Sequence, residues 1–354
     1  MSASRPPPND ALPTRQCLRI GRHVSLPFVL RTVVYCSLLL CLAGAIALAG
    51  VLAGPGLDLD GLLRVLGGGG TKLEQWLVHT VRLPRTLVAL GAGAALGLSG
   101  TLFQSITRNP LGSPDVIGLT AGASAGAVAV SMLWPGMVPL AVGAVSGAFI
   151  ATAAVYASSG AGFSAPQRMV IAGIAVGALA FAFVQFGLSN LRREQAYLAA
   201  AWLNGSVAGS TWRDVHLLAA ACLPMALLAL AQARRLALLE MGDGLATALG
   251  APPRATRGIA ILLGVVAAAV AVSVAGPVAF IALAAPQIAR RCVRRGGPLP
   301  ITAALTGAVL LGAADLSARH LTGGQGLPVG VLTAGIGGVY LAYLLIAEWR
   351  KASA

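Results

Sequence analysis

The chain has 354 residues, of which 57% are hydrophobic and only 10% are charged, and its mean hydropathy is +0.82. Soluble globular domains carry about 25% charged residues, and disordered chains are more polar still. The composition therefore excludes both classes. It predicts an all-α, polytopic integral membrane protein, because about 20 apolar residues in a helix cross the hydrocarbon core.

The formal net charge of +14 does not indicate a nucleic-acid partner. Such a surface would gather basic residues along one face to neutralise phosphates, whereas here they stand between apolar runs. We therefore interpret them as topology signals. The five cysteines form no CxxC pair and the four histidines have no ligand spacing, so neither a disulfide framework nor a metal site is expected.

The chain begins with a Pro- and Arg-containing segment, residues 1–27, which predicts a mobile cytoplasmic tail. Residues 28–354 form one transmembrane domain with about ten predicted helices. The eighth is expected to be short or broken, because Gly276-Pro277 interrupts its run. The ten apolar runs lie at about 31–53, 86–106, 115–133, 137–158, 168–190, 214–233, 258–275, 276–292, 300–318 and 327–347.

The distribution of lysine and arginine predicts the orientation. With the N-terminus inside, 17 of these residues lie on the cytoplasmic side and 8 on the opposite side. This bias satisfies the positive-inside rule and places both termini in the cytoplasm. Nine or eleven helices would mix the two groups.

Glycines recur at four-residue spacing in the second and third runs, at Gly93 and Gly97 and at Gly118, Gly122 and Gly126. This spacing aligns small side chains along one stripe of a helix. Two interpretations remain open. The stripe either packs tightly against another helix or forms a smooth wall beside the path of a bulky substrate.

The connection between the sixth and seventh runs, residues 234–257, predicts a short amphipathic helix that ends at Gly250. Asp243 is positioned to cap it, and Leu245, Ala246 and Leu249 are expected to share a face. Such a helix either links two spans at the surface or docks into the groove of a partner.

The sequence contains no motif that indicates a catalytic site. The segment LTGGQ at residues 321–325 is similar to the signature loop of transport ATPases, but no GxxxxGK[ST] phosphate loop accompanies it. No paired carboxylates or nucleophile–base arrangement is apparent. We therefore expect a chain that is not an enzyme.

Many short motifs in a fixed order, over about residues 30–350, carry a family resemblance. The chain resembles the iron-siderophore and vitamin B12 permeases of type II ABC importers, the FecCD family. RNPLGSPDVIG and LLEMGD are similar to the ferric-enterobactin branch. Gln287 and Gly326 depart from it, since many relatives have His and Glu there. The motifs are RLPR from Arg82, RNPL from Arg108, Trp202 with NGS from Asn204, MGD from Met241, Gly276-Pro277 and LPVG from Leu327.

The resemblance implies a type II ABC importer permease fold over residues 28–354 in the inner (cytoplasmic) membrane. It also implies partners: a second permease subunit, with a heterodimer favoured over a homodimer, two cytoplasmic ATPases and an extracytoplasmic siderophore-binding protein. The ATPases would hold ATP and Mg²⁺, and this chain would bind no cofactor. The expected cargo is a ferric siderophore, with a catecholate of the enterobactin type favoured; cobalamin or heme remains an alternative.

The resemblance further implies roles for individual residues. Arg82 and Arg85 would face outward and dock the binding protein, and Arg319, near the end of the ninth helix, is a third candidate by its position. The alternative for these arginines is that they anchor the helices at the membrane interface. The second helix, with Gly100 and Gln104, would run beside the translocation path. The turn at Arg108, Asn109 and Pro110 would form a cytoplasmic hinge without an assigned chemistry. The ATPase-coupling residues would be Leu239, Met241, Gly242, Asp243, Ala246, Leu249 and Gly250.

An ion-coupled secondary transporter is the competing class. Such proteins also have around ten helices, but they carry ionisable residues at mid-membrane. Nearly all acidic residues of this chain lie in loops or at span ends, which disfavours proton or sodium coupling.

Overall fold

The computed structural model describes residues 16–20, 24–28, 30–159, 166–321 and 327–352. Much of the predicted tail and the outer turn that contains Gly326 therefore lie outside the described residues. Within the tail, Gln16–Ile20 (β1) and Val24–Phe28 (β2) pair as an antiparallel hairpin, with Leu18 opposite Leu26. The assignment of residues 1–27 as a mobile cytoplasmic tail stays a prediction.

The rest of the described chain is helical. A π-helical segment, Leu77–Arg82, leads into α4, and a 3₁₀ turn, Pro114–Ile117, precedes α5. The α-helices are α1 Leu30–Leu52, α2 Leu59–Leu66, α3 Lys72–Trp76, α4 Leu83–Thr107, α5 Leu119–Leu133, α6 Leu140–Ser159, α7 Pro166–Asn190, α8 Arg193–Leu203, α9 Trp212–Glu240, α10 Asp243–Ala248, α11 Pro253–Ala275, α12 Ile281–Val293, α13 Pro300–Leu321 and α14 Val329–Ala352.

Each of the ten predicted runs contains a helix, which confirms the all-α membrane fold. Seven helices of the described chain are long and apolar enough to span a bilayer, and α5 and the segment Val329–Ala342 are shorter apolar helices. The eighth predicted helix is short, as expected: α12 has 13 residues. It is separated from α11 by Gly276 and Phe280, whose φ angles are +68° and +67°.

Two short helices outside the predicted runs cover one end of the bundle. The Asp58 carboxylate caps α2 by accepting a hydrogen bond from the Gly61 amide at 2.7 Å. Thr71 and Glu74 form a capping box at the start of α3. A search for membrane-length apolar runs does not detect α2, α3 or α8, because these helices have only 8, 5 and 11 residues.

Helix α4 lies at the centre of the bundle, and α1, α9, α11, α12 and α13 pack around it. Its glycines bring backbones into direct contact. A Cβ atom at Gly97 would lie 2.2 Å from the Ala303 carbonyl oxygen of α13, and one at Gly100 would lie 1.7 Å from that of Ala282 in α12. Only a residue without a side chain fits such a crossing.

The glycines of the third predicted run, which corresponds to α5, have the same packing role. A Cβ atom at Gly126 would lie 2.0 Å from the Gly143 carbonyl oxygen, and one at Gly122 would meet Gly147 of α6. Gly118 precedes α5 with a φ of +71°. Because these residues face helices of the same chain, the packing interpretation is confirmed. A place of Gly93, Gly97, Gly100, Gly118, Gly122 and Gly126 beside the substrate path stays a prediction.

Substitution of Gly100 tests this packing. We expect Gly100→Ala to destabilise the solubilised protein by about 1–3 kcal/mol through overpacking, and so to lower Tm by several degrees. Gly44→Ala on α1 is the matched control, because a Cβ there meets nothing within 4 Å. Thermal unfolding monitored by size-exclusion chromatography measures both. Equal Tm values for the two variants would contradict the close crossing.

Candidate functional site

An ionic cluster at one end of α4 joins α4 to α13. The Asp315 side chain is only 2% exposed. Its Oδ1 accepts hydrogen bonds from Arg85 Nε at 3.1 Å and Nη2 at 2.7 Å, and its Oδ2 accepts one from Arg319 Nε at 2.8 Å. The guanidinium groups of Arg85 and Arg319 thus both donate to one buried carboxylate. These hydrogen bonds fix the orientation of the side chains and compensate the buried negative charge.

Arg319 of this cluster and the neighbouring Arg82 also cap the end of α1. Arg319 Nη1 donates to the Gly50 carbonyl at 2.9 Å, and Arg82 Nη1 donates to the Val51 carbonyl at 3.0 Å. The last carbonyls of a helix have no intrahelical donor and carry partial negative charge. The two arginines supply hydrogen-bond donors and positive charge to these carbonyls, and so connect α1 to α4 and α13.

These positions correct part of the expected outward-facing set. Arg82 is only 6% exposed and points at backbone carbonyls, so the expectation that it faces outward is wrong. Arg85 and Arg319 keep 22% and 13% of their side chains exposed. The three guanidinium groups of Arg82, Arg85 and Arg319 and the Asp315 carboxylate form a cluster with a formal charge of +2. Docking of a binding protein here stays a prediction.

A second ionic cluster, at the opposite end of α4, holds α10. Arg108 ends α4 with a left-handed φ of +50°, and its Nε donates to the Leu239 carbonyl of α9 at 2.8 Å. Arg108 Nη2 also pairs with the Asp243 carboxylate, which accepts a further bond from Arg257 Nη2 of α11 at 2.7 Å. The Asp243 carboxylate on α10 therefore connects the ends of α4 and α11, and Arg108 connects the end of α4 to α9.

The role of Asp243 differs from the predicted helix cap. Gly242 occupies the cap position with a φ of +121°, and Asp243 is the first helical residue. Partial burial raises the pKa of Asp243, but the hydrogen bonds from Arg257 and Arg108 outweigh burial and hold that pKa below its usual value. The carboxylate is therefore charged at neutral pH.

Helix α10 has one buried and one exposed face. Ala246 is fully buried, whereas Leu245 and Leu249 are 43% and 56% exposed and the adjoining Met241 is 66% exposed. The predicted face shared by Leu245, Ala246 and Leu249 is therefore wrong for Ala246. Leu239 is also fully buried. The turns at Gly242 and Gly250 bound the helix with positive φ angles.

The hinge after α4 is braced against α12. Gln287 Nε2 donates to the Pro110 carbonyl at 2.6 Å, and the Asn109 carboxamide accepts from the Leu111 amide at 2.9 Å. Gln104 Nε2 likewise donates to the Leu283 carbonyl at 3.0 Å. Gln104 and Gln287 thus both brace this end of α4 against α12, while a place of Gln104 beside the substrate path stays a prediction.

The described residues contain no group of three or more His, Cys, Asp or Glu side chains that could hold a metal ion. Both clusters are ion pairs between arginine and carboxylate, which suit positioning rather than catalysis. The two clusters lie about 35 Å apart along the axis of α4, because Arg108 follows Arg85 by 23 residues and each residue of an α-helix adds about 1.5 Å.

Seven helices long and apolar enough to cross a bilayer, in the described part of the chain, define a multi-pass membrane protein. The sequence model of the FecCD transport family matches residues 30–347, and the chain belongs to this family. As a permease of that family, it is a protein of the inner membrane.

Two curated relatives and one solved structure support this placement. The chain is 41% identical to the ferric enterobactin transport system permease protein FepG of Escherichia coli, over 83% of this chain and 90% of the relative. It is 36% identical to the achromobactin permease CbrC of Dickeya dadantii, over 93% and 95%. An inward-facing structure of a putative metal-chelate type ABC transporter aligns with a TM-score of 0.79 at 27% identity, over 88% and 98%.

Removal of the buried carboxylate tests the first cluster. We expect Asp315→Asn to destabilise the protein by about 3–5 kcal/mol, because it leaves buried guanidinium groups unpaired. The double variant Asp315→Asn, Arg85→Gln should recover part of that loss, since one of those charges is gone. Thermal unfolding in detergent gives the comparison.

Asp60→Asn is the matched control, because Asp60 is an exposed acid at the same end of the bundle. A loss in Asp315→Asn no larger than in this control would contradict the structural role of the cluster.

Proposed function

We propose that the chain is the membrane permease subunit of an ATP-driven importer of a ferric siderophore, with both termini in the cytoplasm. The observation that carries the proposal is the 41% identity to a ferric enterobactin permease over most of both chains. It favours a ferric catecholate as cargo. The orientation has separate support from the positive-inside rule. Arg108, at one end of α4, belongs to the larger group of basic residues, and Arg82 and Arg85, at its other end, belong to the smaller group.

ATP hydrolysis belongs to partner subunits in this proposal, and α10 is the surface that meets them. Met241, Leu245 and Leu249 expose apolar side chains at the proposed cytoplasmic end. An amphipathic helix that presents apolar anchors is suited to a groove on a partner. Leu239 and Ala246, both buried, position this surface rather than contact the ATPase.

The ionic cluster behind α10 supplies a route for coupling. Movement of α10 carries Asp243, and Asp243 is bonded to Arg108 of α4 and to Arg257 of α11. Since α4 contacts most of the bundle, displacement of α10 by the ATPases would be passed to the helices that surround the cargo. Gly242 and Gly250 provide the flexible ends that such a displacement needs.

A charge on the exposed face of α10 tests this assignment. We expect Leu249→Glu to weaken association with the ATPase subunits by about tenfold or more, because a carboxylate would have to be desolvated in an apolar contact. Fold stability should not change, since Leu249 is half exposed. Co-purification and ATPase activity measure the effect.

Leu198→Glu is the control, an exposed leucine on α8 at the opposite end of the bundle. If Leu249→Glu keeps full ATPase association, α10 is not the coupling surface.

The +2 cluster at the outer end is the proposed dock for a siderophore-binding protein with acidic surface residues. Arg85 and Arg319 retain partial exposure there, and rim charges mainly steer encounter and register. Arg85→Gln lowers the formal charge of the cluster to +1, whereas the Arg85→Gln, Asp315→Asn double variant restores +2. A docking rate that falls in the first and recovers in the second would separate charge from folding.

A second permease subunit completes the proposed assembly, and the enterobactin-like segments favour a non-identical partner. The chain offers apolar surface for it. Leu179 and Phe181 on α7 and Ile336 and Val339 on α14 are more than half exposed. The faces of α7 and α14 that do not meet the partner would meet lipid.

Uptake of a siderophore panel tests the function itself. A strain that lacks the gene should lose uptake of one class of radio-iron siderophore, expected to be a catecholate, and retain the others. Cobalamin and heme are included because they are the alternative cargoes. Uptake that survives ATP depletion but collapses with the ion gradient would instead show a secondary transporter. That outcome is disfavoured, because Asp315, a buried acid within a span, is already paired with two arginines.

A further inference from the structure

A groove at the α10 end of the bundle is not used by the proposed coupling surface. It has a volume of about 860 Å³, within the range of about 300–1,000 Å³ that is typical of small-molecule sites. Its walls come from the first turns of α1, the last turns of α9, the loop after α12 and the start of α13. The residues on which the argument rests are Thr32, Leu230, Ala233, Arg234, Arg295 and Thr302.

One end of the groove is cationic. Arg234 and Arg295 line it, both are exposed, and neither forms an ion pair within the described part of the chain. Ile301 and Thr302, in the first turn of the 22-residue helix α13, lie beside them. The free amides and partial positive charge of a helix N-terminus attract anions. The three features together form an anion-binding end.

The other end of the groove is apolar. Leu230 lies one helical turn before Arg234 on α9, so the lining changes from apolar to cationic along the helix. The flanking helices expose hydrocarbon-compatible side chains: Leu227 of α9 is 60% exposed and Val34 of α1 is 58% exposed. The apolar end is therefore open to lipid rather than to a soluble partner.

The wall of the groove near the start of α1 is formed by Thr32, whose side chain is only partly exposed.

From this arrangement we infer that the groove binds an anionic phospholipid. The phosphate lies between Arg234, Arg295 and the start of α13, and an acyl chain lies along Leu230 and Ala233. Basic pockets between membrane helices are suited to such headgroups. The leaflet follows from the proposed orientation and would be the cytoplasmic one, but the binding chemistry does not depend on it.

Native mass spectrometry of the purified full-length chain, with its co-expressed subunits, tests the inference. The protein is titrated with phosphatidylglycerol and, in parallel, with phosphatidylcholine. We expect preferential binding of phosphatidylglycerol, and a loss of about tenfold in its affinity in the Arg234→Gln, Arg295→Gln double variant. The control, Arg192→Gln with Arg193→Gln, removes the same charge at the opposite end of the bundle and should change nothing.

A second variant, Ala233→Phe, fills the apolar end and leaves both arginines in place. It should also reduce phosphatidylglycerol binding, while excess inorganic phosphate should not displace the lipid. Unchanged lipid binding in both groove variants, or equal loss in the control, would overturn the inference. Displacement by phosphate alone would show a free-anion site, and loss of the ATPase subunits with lipid binding intact would show a protein interface. Each of these results leaves siderophore uptake, and hence the proposed function, to be judged separately.

Discussion

Direct backbone contact between α4 and its neighbours is the constraint on which the rest of the structure depends. Within a bilayer, apolar side chains gain little by leaving lipid for protein, so helices associate through close packing. Gly97 and Gly100 remove the side chains that would hold α13 and α12 away from α4. The resulting close approach brings the ends of these helices together and places Arg85 of α4 within reach of Asp315 of α13.

The two ends of α4 carry ionic clusters of different strength. Asp315 is almost wholly buried, and breaking a buried pair by removing one partner costs about 3–5 kcal/mol. At the α10 end, Arg257 is only 3% exposed, but the contact between Asp243 and Arg108 is open to solvent, with 45% and 33% of the two side chains exposed. Solvent-exposed pairs contribute only about 0–1 kcal/mol. The Asp315 end of α4 is therefore braced against rearrangement. The contact between Asp243 and Arg108 can exchange partners more easily, and the coupling role that we propose for α10 would need such an exchange.

Local sequence patterns predicted the helices well and the contacts of their side chains poorly. Apolar runs located every span, and Gly276-Pro277 correctly marked a short eighth helix. The sequence could not show that Arg82 is buried, because its partners are carbonyls at the end of α1 rather than a nearby side chain. It likewise placed Asp243 as a cap, since its partner Arg108 lies 135 residues away. The prediction that Ala246 shares a face with Leu245 and Leu249 was wrong. Packing against α9, rather than periodicity, decides which side of this six-residue helix is buried.

The central claim is that Arg108 and Asp243 transmit movement from α10 to α4. The most direct measurement is the amount of ferric siderophore transported per ATP hydrolysed by the reconstituted importer carrying Arg108→Gln. Arg291→Gln, an exposed arginine at the same end of the bundle without an ion pair among the described residues, is the control. The account predicts retained ATPase binding and hydrolysis with a ratio lowered about fivefold, the effect of about 1 kcal/mol. An unchanged ratio in Arg108→Gln would contradict it.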